Sequence, residues 1–190
     1  MLGCVIMASG HSSRFGEDKL FLEIDGVPMV ERALDAVPDG VFGSVTVVYR
    51  DDRLARMVAE RGFITVPNPD DSGDSAITIR LGLSTLPDGL EGCMFMVCDQ
   101  PLLTSDSIRR LVKAFSALPD SIVRLSYGDK EGNPVIFPAA LFDELLDLPP
   151  NESGRYVIDR HRDLVQCVQA TEESELLDVD SPSDLLSLTD

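Results

Sequence analysis

The first candidate site is a polar loop that follows an apolar run near the start of the chain. Residues 7–19 read MASGHSSRFGEDK. Gly10 and Gly16 permit a close approach of the backbone to a ligand, and Ser9 and Ser12 add hydroxyl donors. A glycine- and serine-rich turn with exposed amide groups suits the oxygens of a polyphosphate.

Two fixed positive charges strengthen that interpretation. Arg14 and Lys19 are the only cations before Arg32, and charged donors make strong hydrogen bonds to phosphate oxygens. The loop is not a P-loop, because Gly16 is followed by Glu and Asp rather than by Lys, and it lacks the third glycine of the dinucleotide fingerprint. A plain polar connection is the alternative. The spacing of Arg14, Gly16 and Lys19 favours a phosphate cradle.

The second candidate site is an acid at the end of another apolar run. Residues 93–98 are wholly apolar, and Asp99-Gln100-Pro101 follows them. In open α/β sheets, ligands bind beyond the carboxyl ends of the strands. A carboxylate fixed at that place suits a Mg²⁺ ion that bridges a triphosphate. For a lone aspartate, the alternative is a turn or a helix cap.

Together these two stretches resemble a known family. Residues 7–19 resemble the signature L-A-[AG]-G-x-[SA]-x-R-M-G-x-x-K of nucleotidyltransferases that activate sugars, isoprenoid precursors and molybdopterin, with Ser9 at the Ala/Gly position and Phe15 at the usual Met. Asp99-Gln100-Pro101 resembles the form seen in molybdenum cofactor cytidylyltransferases of the MobA-like NTP transferase family. The guanylyl-transferring relatives tend to have Asp-Thr-Pro.

Further motifs extend the resemblance along nearly the whole chain. Asn68-Pro69, followed by Ser75 and the RLGL of residues 80–83, resembles the base- and ribose-side loop. Gly132-Asn133-Pro134-Val135 resembles a G-[HN]-P-V motif near the acceptor substrate. Residues 178–185, DVDSPSDL, resemble the terminal motif D-[IV]-D-T-P-E-D-L.

The resemblance implies roles for individual residues. Arg14 and Lys19 are expected to contact the triphosphate, and Asp99 to be the principal ligand of Mg²⁺. Asp180 is the expected second metal ligand, with Asp178 as the alternative. The positions expected to bind nucleotide and substrate are Ala8, Ser9, Gly10, Ser12, Arg14, Gly16, Lys19, Asn68, Ser75, Gln100, Asn133 and Pro134.

The reaction implied by the resemblance is transfer of CMP from CTP to the phosphate of a molybdopterin-bound molybdenum cofactor, with release of pyrophosphate. A phosphate acceptor is already an anion, so the reaction needs no general base. The implied partners are CTP or another NTP, the molybdopterin-type acceptor, and a transient contact with a molybdoenzyme or its maturation chaperone. One alternative is guanylyl or other nucleotidyl transfer to a different phosphate acceptor, and another is a non-catalytic nucleotide- or cofactor-binding module.

Composition argues against other functional classes. The chain has 16 Lys and Arg against 33 Asp and Glu, a net charge of −17, which repels nucleic acid and anionic membranes. No apolar run reaches the length of a membrane helix. The cysteines are expected to be free thiols in a reducing compartment, at positions Cys4, Cys93, Cys98 and Cys167. We therefore expect a cytoplasmic protein without a nucleic-acid or membrane partner.

Apolar runs and helical patterns alternate along residues 1–190, which are expected to form a single domain. Strands are predicted at 2–8, 44–49, 63–66, 93–98 and 164–168, and helices at 28–37, 51–61, 75–86, 104–118, 139–146 and 154–162. This order predicts a doubly wound, mostly parallel, Rossmann-like α/β sheet with helices on both faces. The resemblance implies the nucleotide-diphospho-sugar transferase type.

Two features of the second half are predicted separately. Residues 122–126 and 134–137 flank the turn-rich YGDKEGN, which predicts a hairpin on one edge of the sheet. Ser181-Pro182-Ser183-Asp184 has the order of a helix N-cap, a first-turn proline and an acid, which predicts a short C-terminal helix.

Overall fold

A computed structural model describes residues 1–10, 19–181 and 183–184. Its strands are β1 Leu2–Ala8, β2 Glu23–Ile24, β3 Val27–Pro28, β4 Ser44–Tyr49, β5 Ile64–Pro67, β6 Gly92–Val97, β7 Ile122–Tyr127, β8 Lys130–Pro138 and β9 Val165–Gln169. Its helices are α1 Met29–Asp35, α2 Asp52–Glu60, α3 Ser75–Leu83, α4 Ser105–Ala117, α5 Phe142–Leu146 and α6 Gly154–Arg160.

Seven of these strands form one sheet in the order β5-β4-β1-β6-β8-β7-β9. β1 is parallel to both β4 and β6, and β4 is parallel to β5. β8 is antiparallel to both of its neighbours, β6 and β7, while β9 is parallel to β7. Of the strands in this sheet, only β8 therefore runs against the rest. The carboxyl ends of the other six meet at one edge.

The predicted mostly parallel α/β fold is confirmed, and the apolar runs explain it. Alternate residues of β1 enter two separate cores, with Cys4 and Ile6 in one and Val5 in the other. A strand that is buried on both faces needs such a continuous apolar run. Helices α1, α2 and α4 cover the first core, and α3, α5 and α6 cover the second. Burial raises the pKa of the free Cys4 thiol, which acts as a small apolar side chain.

The predicted helix starts agree closely with the structure, because the capping side chains are present. Asp51 accepts from the Arg53 amide at the start of α2, and Thr104 accepts from the Ser107 amide at the start of α4. Several predicted ends are too long. Helix α3 ends at Leu83 rather than at residue 86, and α6 ends at Arg160 rather than at 162. The segment predicted as a helix from 139 begins with a 3-10 turn over Ala139–Leu141.

The predicted hairpin forms, but it is not the outermost element. β7 and β8 pair antiparallel, and β9 lies beyond β7 as the last strand of the sheet. The partly polar β9 sequence VQCVQ suits an edge, since three of its five residues are exposed. Because β8 starts where β7 ends, residues 130–133 lie at the same edge as the carboxyl ends of the parallel strands.

The tail of the chain crosses that edge through a 3-10 turn at Glu173–Leu176 and then an irregular stretch without helix or strand. We call residues 171–180 the tail segment. Residues 177–180 belong to no strand, and the Val179 amide donates to the Asp99 carbonyl, in the loop after β6, at 2.9 Å. Val179 is fully buried against Ile24 and Met29 beside the small β2–β3 hairpin.

The predicted C-terminal helix is described only at its start. Ser181 Oγ accepts from the Asp184 amide, and the Asp184 carboxylate accepts from the Ser181 amide at 2.8 Å. These reciprocal bonds form a capping box. Pro182 and residues 185–190 lie outside the described residues. In the part of the chain that is described, no helix has the length and apolar character needed to cross a membrane.

Candidate functional site

Two segments lie side by side at the edge where the parallel strands end. Asp99 and Gln100 follow β6, and the tail segment brings Asp178 and Asp180 beside them. The hydrogen bond from the Val179 amide to the Asp99 carbonyl joins the two backbones. On each side of this backbone hydrogen bond, polar side chains from the two segments contact one another.

On one side, Lys19 joins the two segments. Its Nζ donates to Asp99 Oδ2 at 3.0 Å, to Asp180 Oδ1 at 3.1 Å and to the Val179 carbonyl at 3.1 Å. Partial burial disfavours the charged ammonium, but the Asp99 and Asp180 carboxylates outweigh it and raise the pKa of Lys19. The ammonium therefore stays charged at neutral pH, held between two carboxylates.

On the other side, Gln100 joins them. Its Nε2 donates to Asp178 Oδ1 at 2.9 Å, so Asp178 faces away from Lys19. The pKa of Asp178 is raised, first because its surroundings remove water and then because Asp99 lies close. Gln100 is almost fully buried, and among the described residues its Oε1 has no hydrogen-bond partner.

A buried polar cluster lies beneath the start of the candidate phosphate loop. Ser9 Oγ and Thr78 Oγ1 are 2.7 Å apart, and Asn68 Nδ2 donates to both hydroxyls, at 3.2 and 3.3 Å. Asn68 Oδ1 accepts from the Asp70 amide, which orients the side-chain amide. The cluster fixes the end of β1 against α3.

Two adjoining cavities flank the line of contact between the segments. The smaller, of about 260 Å³, is lined by Ala8, Ser9, Gly10, Lys19, Asp99 and Asp180 among others. The larger, of about 420 Å³, is lined by Gln100, Asn133 and Asp178 among others. Met7, Ser75 and Val97 line both cavities, so one ligand in each would lie against a shared wall.

The larger cavity has a basic wall that the sequence analysis did not single out. Arg124 rises from the otherwise largely apolar β7, and its Nη1 donates to Glu131 Oε2 at 2.7 Å. Lys130, Arg155 and Arg162 line the same cavity. In the sequence, a single arginine within an otherwise apolar strand is the signal that could have indicated this wall.

The sequence analysis also did not single out Glu175, which holds the tail segment in place. Glu175 is buried, and its carboxylate accepts from the Thr104 amide and hydroxyl, at 3.1 and 2.7 Å, and from the Thr171 amide at 2.9 Å. Burial alone would raise the pKa of Glu175, but hydrogen bonds from Ser107, Thr104 and these amides lower it. Within an acidic tail, the sequence offers no signal that singles out Glu175 as buried.

The carboxylates at the smaller cavity suit a divalent metal ion of the hard, oxygen-binding kind. Asp99 and Asp180 both reach the place where the Lys19 ammonium lies, so their oxygens already converge on a positive charge. Among the described residues, no group of three or more metal-binding side chains comes together. The protein would therefore supply two ligands, leaving the others to phosphate and water, as is usual for Mg²⁺.

The predicted site residues divide into three groups. Ala8, Ser9, Gly10, Lys19, Asp99 and Asp180 converge on the smaller cavity with Ser75, and Asn68 supports it from below. Gln100 and Asn133 line the larger cavity instead. Pro134 is buried next to Asn133 and follows a cis peptide bond. Ser12, Arg14 and Gly16 lie outside the described residues.

Comparison with known proteins identifies the relatives of this arrangement. A family model described as MobA-like NTP transferase domain matches residues 4–165. A probable molybdenum cofactor guanylyltransferase of Aquifex aeolicus is 31% identical over 114 residues, covering 59% of this chain and 53% of that protein. The molybdenum cofactor guanylyltransferase of Vibrio cholerae is 28% identical over 132 residues, covering 69% and 62%. The matches thus span about half to two thirds of these relatives' lengths.

Solved structures share the fold along the whole chain. The crystal structure of Rv0371c from Mycobacterium tuberculosis H37Rv superposes with a TM-score of 0.84 at 24% identity, covering 100% of this chain and 98% of that one. Another crystal structure of that protein is a complex with manganese, with a TM-score of 0.79 at 23% identity, covering 99% and 97%. At these identities the likeness shows the fold.

Proposed function

Because the chain belongs to the MobA-like NTP transferase family, we propose that it transfers a nucleotidyl group from a nucleoside triphosphate to the phosphate of a molybdopterin-type acceptor. The observation that carries the proposal is the position of Lys19. Its ammonium lies between Asp99 and Asp180 and lines the smaller of the two adjoining cavities. A cation and two carboxylates in a cavity that shares a wall with a second cavity fit a reaction in which both substrates bring phosphate groups.

The smaller cavity is the proposed triphosphate site and the larger one the proposed acceptor site. A phosphate oxygen of the acceptor forms a bond to the α-phosphorus, the bond to the β-phosphate oxygen breaks, and pyrophosphate leaves. Lys19, with its raised pKa, stays protonated and neutralises the charge that develops on the phosphate oxygens. Arg14 is proposed to do the same from the loop of residues 11–18.

A divalent ion would supply further charge neutralisation when bound, and Mg²⁺ is the proposed metal. Asp99 and Asp180 are the proposed ligands, since both converge on one cationic position. Asp178 is not, because its carboxylate accepts from Gln100 on the other side of the shared backbone bond. The manganese complex of Rv0371c concerns a protein of the same fold and supports a divalent-metal requirement.

For the nucleotide we propose CTP. Ser9 stands at the position where the family has Ala or Gly, and its side chain is buried beside the smaller cavity in contact with Thr78 and Asn68. A side chain here occupies space that a glycine leaves open, which favours a pyrimidine over the larger purine. The Gln100 of the Asp-Gln-Pro motif supports the same choice.

GTP is the second candidate, because the Aquifex aeolicus and Vibrio cholerae relatives are named guanylyltransferases. A single experiment separates the two. The full chain is given molybdenum-bearing molybdopterin, Mg²⁺, and either CTP or GTP, and pyrophosphate release is measured. We expect faster release with CTP and tighter CTP binding by calorimetry.

The other outcomes of that experiment are equally clear. Tighter binding and faster turnover of GTP would show that the base assignment is wrong while leaving nucleotidyl transfer intact. Nucleotide binding without pyrophosphate release from any of the four common triphosphates would indicate a binding module instead of an enzyme. A contact with a molybdoenzyme or its maturation chaperone is part of the proposal, since the dinucleotide product must reach the enzyme that uses it.

A further inference from the structure

The charge of the larger cavity contrasts with the charge of the molecule. The chain has a net charge of −17 and only 16 cationic side chains. Four of the 16, Arg124, Lys130, Arg155 and Arg162, line this one cavity, against two acids, Glu131 and Asp178. Such a local excess of positive charge in a strongly acidic protein draws an anionic ligand to that place.

The cations of this wall are only partly neutralised by the protein. Glu131 Oε2 accepts from both Arg124, at 2.7 Å, and Arg162, at 3.1 Å, and Arg162 also donates to Asp159. Two carboxylates, Glu131 and Asp159, thus serve the three arginines of this wall. Arg155 is 80% exposed and lies 3.7 Å from Asp159, a loose pair. Lys130 has no ion pair among the described residues. Positive charge is therefore left over for a ligand.

Unpaired polar atoms point to the same cavity. Among the described residues, four buried side-chain nitrogen or oxygen atoms lack a hydrogen-bond partner. Two of the four, Gln100 Oε1 and Arg124 Nε, belong to residues that line the larger cavity. Buried polar groups are nearly always paired in a native protein. Arg124 Nε in the basic wall, and Gln100 Oε1 in another part of the same cavity, thus lack a partner within the protein.

Arg124 also lies some distance along the sheet from Asp99, which contacts Lys19. Arg124 lies opposite Val135 in the sheet, and Val135 lies opposite Phe95, four residues before Asp99. Two strands across and four residues along place the Cα atoms of Arg124 and Asp99 about 15 Å apart. A ligand that contacts both Lys19 and the Arg124 side of the larger cavity must consequently extend across that distance.

We propose that the acceptor carries a second anionic group, remote from the phosphate that receives the nucleotide, and that Lys130 and Arg155, with Arg124 behind them, bind it. This inference rests on the proposed function, because it takes the larger cavity as the acceptor site. It narrows the acceptor to an elongated molecule with anionic groups at two separate places. Small phosphate monoesters without such a group are poor acceptors.

The test compares two double variants of the full chain. Lys130→Gln with Arg155→Gln removes two exposed cations from the cavity wall. The matched control, Arg109→Gln with Lys113→Gln, removes two exposed cations from α4, away from the cavity. Both variants change the net charge equally. Pyrophosphate release is measured with molybdenum-bearing molybdopterin as the acceptor, and direct binding of that acceptor is measured by calorimetry.

We expect the acceptor KM and Kd of the cavity variant to rise about tenfold or more, as for the loss of hydrogen bonds between charged groups. The KM for the nucleotide stays unchanged, and the control stays within twofold of the wild type. Raising the salt concentration weakens acceptor binding more in the wild type than in the cavity variant.

Contrary results separate the inference from the proposed function. If the cavity variant and the control variant have the same acceptor Kd, the inference is wrong. Nucleotidyl transfer by the wild type would still support the proposed function. If the wild-type protein binds the acceptor but releases no pyrophosphate, the proposed function is wrong. The acceptor Kd values of the cavity variant and the control variant then still test the inference. Wild-type protein that neither binds nor reacts overturns both.

Discussion

Lys19 is the residue on which most of the proposed chemistry depends. In this structure its ammonium is held by Asp99, Asp180 and the Val179 carbonyl, with its side chain 13% exposed. A cation bound so firmly links the strand end to the tail even before a phosphate arrives. In the proposed mechanism, the same group exchanges one carboxylate for a phosphate oxygen when a triphosphate binds.

The first prediction concerns the two cations of the candidate cradle. Lys19→Ala and Arg14→Ala should each weaken Mg²⁺-triphosphate binding by about 1.5–3 kcal/mol, because each loses a charged hydrogen bond. Calorimetry with CTP checks this, with Lys113→Ala on α4 as the control. Both variants should keep a native far-UV spectrum, since neither side chain belongs to the apolar cores. Unchanged nucleotide affinity in both would remove the cradle hypothesis.

The second prediction ranks three carboxylates. Asp99→Asn should abolish Mg²⁺-dependent turnover, Asp180→Asn should reduce it, and Asp178→Asn should have the smallest effect. The order follows from the contacts, because Asp99 and Asp180 meet at Lys19 while Asp178 accepts only from Gln100. Asparagine at 178 keeps an oxygen for that bond. Turnover measured against Mg²⁺ concentration checks the order.

Two results would contradict that ranking. A larger loss in Asp178→Asn than in Asp180→Asn would mean that the two tail carboxylates exchange places when substrates bind. Full activity in Asp99→Asn would mean that the proposed metal mechanism is wrong.

At the scale of elements, the tail segment is the part that completes the site. It carries Asp178 and Asp180 across the sheet edge, and three contacts hold it there: buried Val179, the backbone bond to Asp99, and Glu175 at the start of α4. Leu176 packs against Gly132, where an added Cβ would come within 2.6 Å of Leu176 Cδ2. The tail thereby closes one end of the larger cavity.

The third prediction tests that anchor. Glu175→Gln should lower the free energy of unfolding by about 1–3 kcal/mol, because an amide cannot accept from all the donors that surround Glu175. It should also lower turnover, since the tail positions Asp180. Glu173→Gln, an exposed acid in the same turn, is the control. Denaturant unfolding measures the change.

The pH dependence of the same variant follows from linkage. The pKa of Glu175 is lower in the folded protein than in the unfolded chain. Its stabilisation is therefore fully present above the unfolded pKa, about 4.3, and disappears as the pH falls through the folded value. The stability difference between wild type and Glu175→Gln should shrink on acidification. A difference that grows toward low pH would contradict the assigned role.

At the scale of the whole molecule, the fold and its charge act together. Six of the seven strands of the main sheet end at one edge, and the two cavities with Lys19, the carboxylates and the basic wall adjoin that edge. The remainder of the surface is acidic, which gives the net charge of −17. An anionic ligand would thus be repelled by most of the surface and attracted to the cationic part of this edge.

The fourth prediction is made for the intact protein. A triphosphate that binds only the folded state stabilises it by about 2.7 kcal/mol at a hundred times its Kd, which raises the Tm of a protein of this size by roughly 5–10 °C. We expect this rise with CTP and Mg²⁺ together and a much smaller one with CTP and EDTA. Asp99→Asn should abolish the difference. Equal shifts with and without metal would count against a metal-bridged triphosphate.

The sequence by itself determined the elements and most of their order. Apolar runs that must be buried on both faces predicted the parallel strands, and capping residues such as Asp51 and Thr104 fixed helix starts within a residue, because both signals are local. The resemblance of residues 7–19 and Asp99-Gln100-Pro101 predicted the family that the comparisons show. Helix ends were predicted less well, since they depend on contacts rather than on caps.

Only the tertiary structure decided which distant residues meet. The sequence favoured Asp180 over Asp178 as a metal ligand but could not show their contacts. One faces Gln100 and the other Lys19, because the backbone hydrogen bond of Val179 lies between them. The basic wall joins residues from β7, β8 and α6, which are close only because β8 reverses within the sheet. Local sequence patterns cannot predict these contacts, because they depend on packing between elements that are far apart in the chain.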